Sequence, residues 1–117
     1  MDLFENQNLV EVKKQLWSIY SDITKGIYGN GVVELKINIY SDMIMFLARH
    51  NRVPVLAAME EHYMQLKQNV DYALFQEFKY RLKISLEKDM NIKVLALLKD
   101  YDPDYKLAVT IVVAENC

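Results

Sequence analysis

Three aspartates at alternate positions, Asp100, Asp102 and Asp104, are the first feature of this chain that suggests chemistry. Their spacing imitates the opening of an EF-hand loop, whose carboxylates at odd positions converge on calcium. The rest of such a loop is missing. Tyr105 stands where a glycine has to turn the chain, and Ile111 where a bidentate glutamate has to close the site. The triplet therefore reads as a hairpin turn with hydrated carboxylates, and calcium is expected to bind no tighter than about millimolar. Gly29 and Gly31 have the spacing of a phosphate cradle. A dinucleotide cradle, however, follows a strand and opens a helix, and here a helix precedes and a strand follows. A sharp structural turn is expected instead.

Other reactive groups do not fall into a catalytic pattern. His50 and His62 are not spaced as ligands on one helix face, and Cys117 is remote from both, so no metal and no cofactor are expected. Glu60 and Glu61 are adjacent, which on a helix points them about 100° apart rather than at one substrate. No serine or cysteine sits in a nucleophile elbow. No catalytic residues are assigned, and the chain reads as a non-enzyme.

The elements that must position these groups are organised around Pro54 to Asn91, a run almost free of helix breakers. Pro54 suits the first helical turn, where its missing N–H is no loss. Val55, Met59, Tyr63, Leu66 and Val70, then Phe75, Phe78, Leu82, Leu86 and Met90, recur at helical spacing. Asn69 is placed to end one helix and Asp71 to cap the next, so two consecutive helices, or one with a kink, are expected. Upstream, Asn8 and Glu11 have the spacing of an N-cap and its partner, and Val12, Leu16, Ile19, Tyr20 and Ile23 form one stripe. That helix is expected over residues 9–25, with Gly26 as its terminator. Val33 to Ile39 alternate as a half-buried strand, Ser41-Asp42 turns, and Met43 to Arg49 returns. If the turn has two residues, Tyr40 pairs with Met43 and Ile39 with Ile44, and Ile37, Ile39, Ile44 and Phe46 face inward. Lys93 to Lys99 and Lys106 to Ala114 are the last two strands. The expected fold is α+β: two layers in the order α-β-β-α-α-β-β, with a four-stranded antiparallel sheet and helices on one face. An arm over residues 1–8 precedes a single domain over residues 9–117.

Composition narrows the function classes. The chain has 117 residues, 52% of them hydrophobic, which suffices for one well-filled core. With 14 basic and 16 acidic residues the formal charge is −2, which gives no footprint for nucleic acid. The element order is shared with the start of a type II KH domain. The backbone-clamping GxxG of that module is replaced by Lys67-Gln68-Asn69-Val70, so no nucleic-acid partner is expected. The longest apolar run, Met43 to Ala48, is too short for the roughly twenty residues of a membrane span, and no direct membrane insertion is expected. One cysteine and no secretory signal point to a cytoplasmic protein.

Taken whole, residues 10–115 resemble the MpsC-like family of small bacterial domains. Gly29-Asn30-Gly31-Val32 resembles the family's Gly-Arg-Gly-Pro turn. Asp42-Met43-Ile44-Met45-Phe46-Leu47 is similar to its Asp-led strand, and Val53-Pro54-Val55-Leu56 to its Thr-Pro-x-Glu helix start. Asn91-Ile92-Lys93-Val94, with Asp100 beyond, is similar to its third strand. Gly29, Gly31, Asp42, Pro54 and Asp100 are thus the family-motif positions. Asn30, Val32, Val53 and Leu56 depart from the pattern, so contacts made through the family's arginine or glutamate are not implied for this chain. What the resemblance implies is a cytosolic accessory protein of a sodium-translocating, membrane-potential-generating system, with a membrane transporter subunit as partner. The alternative expectation is a small-ligand-binding or sensory domain using the Gly26–Gly31 loop and Tyr20, Tyr28 and Tyr40.

Self-association is expected through the sheet face that the helices leave bare. On the first hairpin that face carries Tyr40, Met43, Met45 and Leu47. The last strand is expected to turn Leu107, Val109, Ile111 and Val113 inward and Ala108, Thr110 and Val112 outward. A solvated face alternates to charge, as Glu34 and Lys36 do; an apolar one predicts a second cover. A homodimer with Tyr40, Met43, Met45, Leu47, Thr110 and Val112 at its interface is the expected cover. The intrachain alternative is the arm, through Leu3 and Phe4.

Overall fold

A computed structural model of the chain describes residues 1–51 and 53–117. The elements follow the expected order: α1 (Leu9–Tyr28), β1 (Glu34–Ile39), β2 (Met43–Arg49), α2 (Pro54–Ala57), α3 (Met64–Asp89), β3 (Ile92–Asp102) and β4 (Leu107–Asn116). The four strands form one antiparallel sheet in the order β1-β2-β4-β3, with α1 and α3 packed on it. Among the described residues, no helix is long and apolar enough to cross a membrane.

At the start of α1, Asn8 Oδ1 accepts from the Val10 and Glu11 N–H groups at 3.0 and 3.4 Å, satisfying two donors the helix itself cannot. The helix continues past residue 25, because Gly26 stays helical and the left-handed position is Gly29 (φ 84°). There the Gly29 N–H donates to Lys25 O at 2.9 Å. Asn8→Ala should lower unfolding free energy by about 1 kcal/mol in urea melts. Asn8→Gly should recover most of that, and an unchanged midpoint in Asn8→Ala would show the cap to be dispensable.

The long helical region divides, but not where the sequence suggested. The α2 helix is a single turn opened by Pro54, and the break falls at residues 58–63. From Met64 the chain is helical straight through Asn69 and Asp71. Both side chains bond along the helix surface rather than to a terminus. Gln65 Nε2 donates to Asn69 Oδ1 at 3.3 Å, and Lys67 pairs with Asp71 at 2.7 Å, each four residues apart. The supposed apolar stripe is also only half real. Phe78, Leu82, Leu86 and Met90 are buried, whereas Val55, Tyr63 and Leu66 are exposed.

The first hairpin forms as expected: Ile39 lies opposite Ile44, and the Tyr40 N–H donates to Met43 O at 2.8 Å. Ile37, Ile44 and Phe46 are buried beneath the helices, and Ile39 packs against them. The β4 strand is turned the other way from the expectation. Ala108, Thr110, Val112 and Ala114 face the helices, and the larger Leu107, Val109, Ile111 and Val113 face away. Small residues are needed inward because Tyr20, Phe46 and Phe78 already fill that layer. Thr110 and Val112, both 0% exposed, are therefore removed from the candidate interface. The arm does not cover the outer face either. Leu3 and Phe4 join the helix-side core, with the Leu3 N–H donating to Ser41 O at 2.9 Å.

Candidate ligand pocket

At the end of the sheet opposite the arm, several loops converge on a cavity of about 330 Å³. The end of α1 and the turn after it bring Tyr28, Asn30 and Gly31. The connection out of β2 brings His50 and Val53, α2 brings Leu56 and Ala57, and the first half of α3 brings Lys67, Asp71 and Phe75. The floor is β3, through Lys99 and Tyr101. The exposed first half of α3 thus walls a pocket instead of filling a core.

Lys99 is the unusual member. Its ammonium lies 3.4 Å from the centre of the Phe78 ring, with Phe75 at 5.4 Å and Tyr20 at 5.6 Å. Ring faces attract a cation without neutralising it. Among the described residues no carboxylate pairs with it within 4.0 Å. Burial lowers its pKa from 10.5 to about 7, so amine and ammonium coexist near neutrality. Thr110, its cross-strand neighbour, is buried with a hydroxyl that has no hydrogen-bond partner among the described residues.

His50 stands beside it. Burial first, and the Lys99 charge second, lower the imidazole to about 4, so the ring is neutral at ordinary pH. Its Nε2 is 3.4 Å from the Tyr20 hydroxyl, and its ring also approaches Tyr28. Burial holds Tyr28 up at about 12 and raises Tyr20 as well; Thr110 opposes the latter without a well-formed hydrogen bond. Among the described residues, the pocket offers one uncompensated amine, a neutral imidazole, the Tyr28 phenol, which stays protonated, and an apolar wall. Among the described residues, no serine, threonine or cysteine lines it.

Most of the positions singled out in the sequence for their resemblance to family motifs gather here. Gly31 and Asp100 line the cavity, and Gly29 and Pro54 adjoin the lining residues Tyr28, Asn30 and Val53. Asp42 is at the far end of β2, where its carbonyl accepts from the Ala114 N–H at 3.0 Å. Of the three tyrosines proposed for ligand contact, Tyr28 lines the cavity and Tyr20 supports it from behind. Tyr40 is half-exposed beyond the other end of β1 and is not part of the site.

The aspartate triplet shapes the β3–β4 turn: Asp102 Oδ1 accepts from the Asp104 and Tyr105 N–H groups at 2.9 and 3.3 Å, and Asp100 Oδ1 from the Tyr101 N–H. His50, His62 and Cys117 are not brought together, and no group of three potential metal ligands occurs among the described residues. Sequence reasoning missed Lys99, and His50 as a pocket residue. Comparison with protein-family models, with curated proteins and with solved structures returns no match.

Proposed function

We propose that this domain is a non-enzymatic binding module that takes a small organic ligand in the pocket and works as a homodimer through its bare sheet face. One observation carries the ligand reading: the Lys99 amine, held among rings and without an ion-pair partner among the described residues, borders a cavity of about 330 Å³. That volume is at the lower end of the roughly 300–1,000 Å³ of ligand pockets. An apolar residue would serve the core better than an uncompensated amine, and such breaks of a local rule concentrate at functional sites. Thermal unfolding against a panel of small metabolites tests this. A ligand at about a hundred times its Kd should add about 2.7 kcal/mol of stability. Filling the cavity with Ala57→Trp should abolish the effect; a panel without any stabiliser, or shifts undiminished in the filled variant, would count against the pocket.

The dimer reading rests on the outer sheet face. Met43, Met45 and Leu47 of β2 lie opposite Val113, Ile111 and Val109 of β4, and Leu98 of β3 continues the row at 61% exposure. Glu34, Lys36 and Asn38 border it on β1, and Asp100 and Asp102 on β3. Seven residues along and four strands across give a footprint of about 23 by 19 Å. An apolar centre with a polar rim is the anatomy of an interface, and a second copy offers a face of identical size and pattern. The family resemblance adds an accessory role in the cytoplasm beside a membrane ion-transport system. Co-purification of a transporter subunit from the native host is the observation that would establish that role.

A further inference from the structure

We infer that the ligand of this pocket is a small monocarboxylate with an apolar body, its carboxylate paired with the Lys99 ammonium; the inference rests on the cavity being a binding site.

The charges around the cavity favour an anion. Two cations line it among the described residues, and they are not equivalent. Lys67 is already neutralised by Asp71 at 2.7 Å, whereas Lys99 meets only rings. Among the described residues, an anion entering the pocket therefore finds one unanswered positive charge, on its floor. A carboxylate there would form a charge-assisted hydrogen bond in surroundings that strengthen it. The same surroundings disfavour other classes. A phosphate brings about two charges and several acceptor oxygens, and needs more donors than the one free amine among the described residues, beside Glu60, can supply. A cationic ligand would meet the Lys99 charge, while Asp71 is held by Lys67 and Glu60 is likewise engaged. The apolar body follows from Val53, Leu56, Ala57 and Phe75 on the facing wall.

The pairing carries a proton requirement. The groups facing Lys99 do not titrate with it: His50 is neutral above about 4, and Tyr20 and Tyr28 on α1 stay protonated. Lys67 and Asp71 on α3 hold each other. Lys99 changes charge near neutrality, from about 7 upward. Carboxylate affinity should thus be flat from about pH 5.5, where the ligand is ionised, up to that point and fall up to about tenfold per pH unit above it.

The experiment is calorimetric titration of the intact chain with benzoate, phenylacetate and hexanoate, each alongside its uncharged amide. Near pH 6 the acids should bind at least about tenfold more tightly than their amides. That preference should vanish near pH 9, and in Lys99→Met at either pH. The pH comparison uses wild-type protein, so it stands even if the variant folds poorly. Amides that bind as well as the acids, or acids that keep their advantage in Lys99→Met, would overturn the pairing while leaving the pocket as a ligand site. Absence of binding by all six compounds would overturn both.

Discussion

Lys99→Met should make the folded domain more stable, by about 2 kcal/mol near pH 6 and by far less near pH 10. The amine titrates at about 7 in the fold against 10.5 ordinarily. Between those values the unfolded chain holds a proton that the folded chain does not, so wild-type stability rises with pH across that window. Below it both states are protonated and the fold bears the whole cost of a desolvated ammonium. Above it both are neutral and the cost is gone. A shift of this size corresponds to about 5 kcal/mol in the limit. About half is expected from the substitution, because methionine forfeits the ring contacts and the amine is not fully withdrawn from water. Urea melts at the two pH values provide the test, and an equal gain at both would show that Lys99 is not the desolvated group.

His50 should respond to the same substitution. Its imidazole lies at about 4 against an ordinary 6.5, through burial and the neighbouring Lys99 charge. Wild-type stability should accordingly fall as pH drops from 6.5 toward 4, where the unfolded chain takes up a proton first. Without the Lys99 charge only burial remains, and the ring should titrate higher by proton NMR.

How much of this was legible in the sequence depends on where polarity alternates. Strand β1 alternates apolar and charged residues and was placed correctly, with the hairpin register to β2. Strand β4 is apolar at nearly every position, so polarity gave no sign of face. Side-chain size favoured the wrong answer, since helix-borne rings, invisible to strand-level reasoning, claim the inner volume. Lys99 was hidden by a different device. Ile92 and Val94 point inward, which by strict alternation would send Lys99 to solvent. An irregularity in register between Val94 and Ala96 inserts Leu95 and reverses the faces beyond it, so that Leu97, Lys99 and Tyr101 point inward. The pocket was only partly foreseen, through the glycine turn and Tyr28. Asn69 and Asp71 carried the signals of a helix boundary, but side-chain partners four residues away kept them within α3.

Charging the outer sheet face should convert a dimer into a folded monomer, and charging the inner face should unfold the chain. Met45 and Leu47 lie opposite Ile111 and Val109 at the centre of the bare face, and all four are half-buried in the single chain. Met45→Glu with Leu47→Glu leaves both carboxylates free to reach water in a monomer, at a stability cost of about 1 kcal/mol or less. In a two-fold dimer four carboxylates would be pressed between apolar sheets, weakening association by at least about a thousandfold. Val112→Glu is the control for facing. Val112 is 0% exposed, between Ile44 and Leu97 on the neighbouring strands, and an unpaired charge there should cost more than about 4 kcal/mol. Light scattering at tens of micromolar should give twice the chain mass for the wild type and the single-chain mass for the double variant, with circular dichroism unchanged. A monomeric wild type, or a double variant that still weighs as a dimer, would remove the sheet face as the interface. The ligand pocket would be untouched by either result, because it lies on the helix-covered side at the end of the sheet.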